Sequence, residues 1–425
     1  MESVAAGGDE SPYEAGPAGL VRSGPPSDDG TAAGAPPGGG RTKRLKRWHV
    51  LGGIAVLVAV AVLVLSLITV PYYALTPGQA QSVAPLISVS PPSVVHSHTG
   101  SVLLVDVEET ELRAIDWLYF KLDNNATIIK ASNILGPETP TQYNTEGVID
   151  MSDAQQAATV VALNELGYHV KVVPAGALLY ALLPGSPAEA DLAVGDKVTA
   201  VGSRAVTSAQ GLTAALGAAK PGTTVELTVS TFSPAAVKRI RLTLGTWRIV
   251  GPKKTATLAC FPAGQGGRYP IAVRFPNGGL GYPAKGKVAT PVGCLGVLQV
   301  ENAYRIGQLP VRIDLRSEGI VGPSAGLAFT LGLMQKLDPE NLTGGHKVAA
   351  TGTMSINGAV GAIGGVEQKT IAVRSSGASL FLVPPGNYSR AKAYAGSQLH
   401  VVAVSSIGQA ISVLERYGGK LKKVA

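Results

Sequence analysis

Apolar and polar positions follow different rules in successive stretches of the chain. Residues 1–47 run through Gly, Ala, Pro, Ser, Asp and Glu with almost no large apolar side chains, too little to offset the entropy of ordering, and predict a disordered tail. Trp48–Val70 then contains no Asp, Glu, Lys or Arg. About 21 apolar residues at a 1.5 Å rise span about 30 Å, the thickness of a bilayer's hydrocarbon core, so residues 48–70 predict a transmembrane helix. Residues 71–98 are rich in Pro and Ser and read as an exposed linker. Within 99–170, Ser101–Val107 is strand-like and Ala154–Leu166 has helical spacing, which predicts a mixed α/β region. Further on, a helix is expected at Ser208–Ala219 and a strand at Thr224–Ser230, inside a unit spanning 171–245. Residues 246–310 are Gly- and Pro-rich with short strand-like runs such as Ile271–Phe275, and read as a connecting region or the start of the next domain. From 311 to 420 the pattern becomes regular. Strands are expected at Val311–Leu315, Val348–Thr353, Leu380–Val383 and His400–Val404, and helices at Ala325–Lys336, Glu367–Ser375, Tyr388–Ala395 and Ile407–Tyr417. Strands and helices interleave in one compact domain.

Charge changes this picture at one place. The formal net charge of +8 could suggest nucleic acid, but five of the basic residues fall in Arg41–Arg47, directly before the apolar run. That position fits a membrane flank, and no other basic stripe with interleaved aromatics occurs. The positive-inside rule then leaves the tail in the cytoplasm and sends everything after Val70 across the membrane. A cleaved signal peptide is the competing reading. The apolar run is too long for it, the preceding tail is extended, and no small-x-small site precedes Pro71-Tyr72-Tyr73. The two cysteines, Cys260 and Cys294, are too few for a thiolate metal cluster and are either a pair or two inert thiols. His96-Ser97-His98 lacks further ligands in sequence, so no metal and no cofactor are expected.

The candidate chemistry lies in Gly322-Pro323-Ser324-Ala325-Gly326 and, some forty residues on, Gly364-Gly365-Val366-Glu367-Gln368-Lys369. Gly322 and Pro323 turn the chain sharply into a buried helix, which puts Ser324 at its first turn. There it is either an N-cap or a nucleophile beside unpaired N–H groups able to hold an oxyanion. Lys369 begins a helix whose inner face would include it or its neighbours Val366 and Ala372. It is either a solvated lysine or, if desolvated, a neutral amine able to act as general base. With Thr351-Gly352 between them, these blocks resemble the proteolytic domain of Lon-type serine peptidases in residue type, order and spacing, over about Val311 to Gly418. The resemblance implies the fold class α+β and a catalytic dyad of Ser324 and Lys369, with Thr351 as a supporting hydroxyl near the lysine. Gly-x-Ser-x-Gly also describes the nucleophile elbow of α/β-hydrolases, with His400 as base and Asp338 or Glu367 orienting it. An elbow needs a strand running directly into the serine, whereas Arg316–Ile320 intervene.

Gly176-Ala177-Leu178-Leu179-Tyr180, Pro184-Gly185-Ser186-Pro187-Ala188-Glu189 and Gly195-Asp196 resemble a PDZ domain of the bacterial protease-associated kind. The resemblance implies a peptide added as a strand beside Gly176, Ala177 and Leu178. No Gly-x-x-x-x-Gly-Lys-[Ser/Thr] loop occurs, so ATP is not expected as a partner. The combined expectation is an ATP-independent, single-pass membrane endopeptidase. Its N-terminus would be cytoplasmic and its catalytic domain extracytoplasmic, acting on protein or peptide substrates and not on nucleic acid, with homo-oligomerisation left open. The rival class is a catalytically silent, membrane-tethered PDZ scaffold.

Overall fold

The run Leu380-Phe381-Leu382-Val383 has no polar residue on either side of the pleat, and a strand of that kind must be covered on both faces. The computed structural model shows how. It describes residues 47–423 apart from Pro137, Ala218, Ser233 and the segments 252–256, 268–271, 275–279 and 282–290. Six strands form one sheet in the order His400–Ala403, Leu380–Val383, Lys347–Ala350, Ser101–Arg113, Thr69–Ser82 and Thr127–Lys130. The first four run parallel to one another, and the last two join by antiparallel pairing. Side chains divide by the period of two: Val102, Leu104, Val348, Ala350, Leu380 and Leu382 enter one core, with Phe329 and Leu331 of the helix Gly326–Leu337. Leu103, Val105, Ala349, Phe381 and Val383 enter another, against Val366 and Val373 of the helix Val366–Ser375 and Ala391 of Pro385–Tyr394. The sheet therefore lies between the helix that follows Ser324 and the helix that carries Lys369.

A second sheet is antiparallel throughout, in the order Val297–Ile306, Val172–Leu182, Lys197–Val201, Thr224–Thr231 and Ala236–Thr243. Leu178, Leu227, Val229 and Leu242 fill its core under the short helix Ala209–Leu216. The two cores share a helix, Pro140–Glu165, opened by a reciprocal Thr139–Gln142 capping box. Its Ile149 packs into the second core, while Ala157, Ala158, Val161 and Ala162 pack into the first.

Three expectations need correction. Residues 71–98 are not a linker: Thr69–Ser82 is a 14-residue strand that follows the apolar helix Arg47–Leu67 after one residue. Two of the prolines that suggested a linker, Pro71 and Pro77, sit at the irregularities of its ladder with Ser101–Arg113, which breaks between Thr69 and Tyr73 and again between Pro77 and Ala80. Missing amide hydrogens cost nothing there. The helix correspondingly ends before Val70. Likewise Val297–Ile306 is not connecting sequence but an edge strand of the second sheet, and Arg312–Leu315 pairs with Ile87–Ser90 outside both large sheets. Except for Arg47, the tail expected over 1–47 lies outside the described residues, as do the ends of the strand expected at Ile271–Phe275. Cys260 and Cys294 are disulfide-bonded, joining the strand Thr257–Phe261 to the approach of Val297–Ile306.

Candidate active site

Gly322 has a φ of 87°, which is readily available to glycine, and Pro323 opens a single 3-10 turn over Pro323–Ala325 that leads into the helix Gly326–Leu337. Ser324 sits inside that turn. The capping position of the helix belongs to Ala325, and no side chain caps it. The N-cap reading of Ser324 is thereby replaced: its Oγ instead accepts a 2.6 Å hydrogen bond from Lys369 Nζ. Gly326 makes the turn's position feasible, since a Cβ there would lie 2.8 Å from the Cβ of Met354.

Lys369 projects from the first turn of Val366–Ser375, and its own N–H donates to the Gly365 carbonyl. Gly365 is left-handed, with φ 63°, and a Cβ on it would strike Val107 of the sheet, so the lysine helix can begin this close to the strand only with glycine. The side chain is 4% exposed. Burial draws the ammonium down from 10.5 to about 8, against the Asp106 and Glu109 carboxylates, which favour the charged form. Asp106 is held in place by accepting from the Gln79 N–H across the irregular stretch of the neighbouring strand. The lysine next to the half-buried serine hydroxyl thus loses its proton far more readily than a solvated one, beside a reachable nucleophile.

Thr351 takes a different place from the one expected. Its hydroxyl donates to the Ser324 carbonyl at 3.2 Å, and the adjacent Gly352 N–H donates to the same carbonyl at 2.9 Å. The threonine braces the serine's backbone rather than the lysine's head group. The helix-start N–H groups are also partly committed, Gly326 to Pro323 and Leu327 to the Gly352 carbonyl. The Ser324 N–H lies in the first turn, ahead of any intrahelical acceptor.

The residues of the elbow alternative are dispersed. His400 packs its ring 5.7 Å from that of Tyr417, Asp338 accepts from the Glu340 and Lys422 N–H groups, and Glu367 pairs with Arg390 at 2.5 Å.

The expected peptide edge is closed. Gly176, Ala177 and Leu178 face Ala303, Asn302 and Glu301 of Val297–Ile306 on one side, and Ala177 and Leu178 face Val198 and Lys197 on the other. The chain's own strand thus runs antiparallel where an added peptide would lie, and Asn302 Oδ1 also accepts from the Ala209 N–H at the start of the short helix. Signal for this was weak, because only Ala303 of the covering strand is buried and the rest reads as surface. Between the second sheet, the helix Pro140–Glu165 and the serine turn, a cavity of about 570 Å³ is lined by Asp150, Tyr180, Glu301 and Asn302, and by Pro323 and Met354.

Comparison with known proteins places this geometry. Residues 316–415 match the family model of the Lon protease (S16) C-terminal proteolytic domain. The chain carries a Lon-type proteolytic domain. Residues 164–231 match the PDZ domain, so the second sheet belongs to a PDZ unit. The region is 33% identical to the Lon protease of Helicobacter pylori over 119 residues, 27% of this chain and 14% of that protein. It is 30% identical to the Lon protease of Campylobacter concisus over 117 residues, 26% of this chain and 14% of that protein. The chain thus spans about a seventh of the length of these relatives. The apolar helix Trp48–Leu67 is long enough to cross a membrane, with its side chains exposed rather than packed into a core.

Proposed function

We propose that the chain is a membrane-anchored serine endopeptidase working through Ser324 and Lys369 without coupling to ATP. The observation that carries this reading is the 2.6 Å contact between the Ser324 hydroxyl and a buried lysine whose pKa is drawn down to about 8, so that its neutral form is within reach near physiological pH. As Oγ attacks a peptide carbonyl, Lys369 Nζ takes its proton. The Ser324 N–H is the nearest backbone donor for the developing oxyanion, and Thr351 with Gly352 keeps the serine backbone from recoiling. Collapse breaks the C–N bond, and the lysine ammonium passes its proton to the leaving amine. A water then attacks the acyl ester, giving a proton to the now neutral Lys369 Nζ. The ester C–O bond breaks, the product acid departs, and Ser324 regains its hydrogen from the lysine.

Substrate would approach as an extended segment through the cavity between the second sheet and the serine turn. The PDZ unit acts there as a wall or gate rather than by strand addition at Gly176–Leu178, because that edge is already paired. Trp48–Leu67 serves as the anchor, with Arg41–Arg47 on its cytoplasmic side. The Cys260–Cys294 bridge agrees with an oxidising, extracytoplasmic location for the domains after it.

Cleavage of an unfolded protein by the purified chain tests the reading. Ser324→Ala and Lys369→Arg should both be inactive while folded, since arginine keeps the charge but cannot act as base. For the parent, kcat/KM should climb as the pH rises through about 8 and then level off. Turnover by Ser324→Ala at the parent's rate would end this proposal.

A further inference from the structure

The apolar side chains left exposed on the folded region are not evenly spread. Val237, Leu298, Val321 and Tyr388 stand far apart in sequence, as scattered surface apolar residues usually do. One group is contiguous. The short helix Ala114–Phe120 has no buried residue, and with the two residues after it forms Trp117-Leu118-Tyr119-Phe120-Lys121-Leu122. Leu118 is 47% exposed, Tyr119 67% and Leu122 85%. Tyr119 and Phe120 stack edge to face, and Lys121 Nζ stands 4.5 Å from the centre of the Trp117 ring.

The position of this group is as informative as its composition. The strand Ser101–Arg113 ends opposite Thr69, and the Ala114 N–H donates to the Ile68 carbonyl at 2.9 Å. Ile68 is the residue between the apolar helix and the first strand, and the helix from Ala59 onward belongs to the same unit as the sheets. The exposed group therefore starts where the chain leaves the apolar helix. Leu67 and Ile68, at the helix end beside which this group starts, are themselves 74% and 48% exposed. Of the nearby acids, Asp116 accepts from the Arg113 N–H and Asp123 from the Asn125 N–H, while Glu111 stands exposed at the end of the preceding strand.

We infer that Trp117–Leu122 is a second, non-spanning membrane contact, seated in the interfacial layer of the bilayer crossed by Trp48–Leu67. This rests on the anchoring part of the proposed function. Trp, Tyr and Lys are the side chains that tolerate the boundary between headgroups and acyl chains, while Leu118 and Leu122 gain by leaving water. One anchoring helix alone lets a domain swivel. A second contact beside its exit holds the domain in one orientation over the lipid.

The full chain in vesicles of phosphatidylcholine and phosphatidylglycerol provides the test. Leu122→Cys carries a polarity-sensitive fluorophore, Val237→Cys serves as the distant control, and the native cysteines are occupied by their bridge. At position 122 the emission should shift to the blue and be quenched by lipids bearing a nitroxide near the headgroup, while position 237 behaves as in water. A chain that floats with the vesicles but reports water at both positions keeps its anchor and overturns this inference. A blue shift at 122 that ignores the lipid quencher and fades on dilution would assign the surface to contact between copies instead. A chain that does not float would remove the anchoring reading and this one with it.

Discussion

Short motifs announce both the serine–lysine region and the PDZ region; the structure brings the first pair of side chains into contact and closes the edge expected of the second. Ser324 and Lys369 lie 45 residues apart and meet because both begin helices that flank one sheet. Their chemistry depends on two local turns, each set by glycine. Gly176–Leu178 adopts the expected strand as well, but its function would depend on an empty neighbour, and Val297–Ile306 fills that place from more than a hundred residues away. A motif reports what its own backbone does. Whether a strand edge stays free is decided by the rest of the chain.

The comparison can be broken most sharply at Lys369. Replacing it by methionine should lower turnover by about 10³-fold or more, the scale of losing a general base. It should also stabilise the fold. The lysine's folded pKa of about 8 lies below its ordinary 10.5, so the unfolded chain binds the extra proton between these values. The resulting penalty is complete below about pH 8 and gone above about 10.5, and amounts to about 3 kcal/mol. Denaturant titrations of both proteins at neutral and alkaline pH should show a gap that closes as pH rises. A parent more stable than Lys369→Met at neutral pH would contradict the buried amine.

The PDZ region is probed through its bridge, whose 34-residue separation corresponds to about 3–4 kcal/mol in the chain-entropy model. Cys260→Ser with Cys294→Ser should lose that much stability and speed hydrogen exchange across Val297–Ile306, since Cys294 tethers the approach to this strand. In the parent the same amides should exchange as slowly as those of Lys197–Val201. Fast exchange in the parent would make the covering strand a displaceable occupant of the peptide edge.

The smallest effect is expected from Asp106→Asn. With one opposing carboxylate removed, Lys369 should fall further and the rising limb of the rate profile should move to lower pH. Fold stability should hardly change, because asparagine can still accept from the Gln79 N–H. An unmoved limb would mean that Asp106 is not felt by the amine.

Legibility in the sequence followed locality. The continuous apolar runs at Val348–Ala350 and Leu380–Val383 could only be strands covered on both faces, and the glycine–proline turn before Ser324 marked its helix. Thr69–Ser82 was hidden because prolines normally argue against a strand, and only the ladder shows that they coincide with its breaks. Asp106 and Glu109 sit about 260 residues before the lysine they oppose, on a strand whose sheet position no local pattern gives. Thr351 was placed near the site by its motif, but which carbonyl or amine it would touch depended on packing.

The pairing of Leu75 with Thr127, and the 2.8 Å hydrogen bond from Gln368 Nε2 to Thr127 Oγ1, have one more consequence. From Thr69 to Leu75 the strand advances by about 20 Å at 3.3 Å per residue, and Gln368 precedes the lysine directly. With Trp48–Leu67 across a bilayer, the strand acts as a ruler: whatever its tilt, Leu75, whose partner Thr127 holds the lysine helix, lies no further than about 20 Å from the membrane exit. A protein rooted in the same bilayer could span that distance with about six extended residues. Short membrane-proximal stubs, rather than the interiors of distant folded domains, lie within this reach.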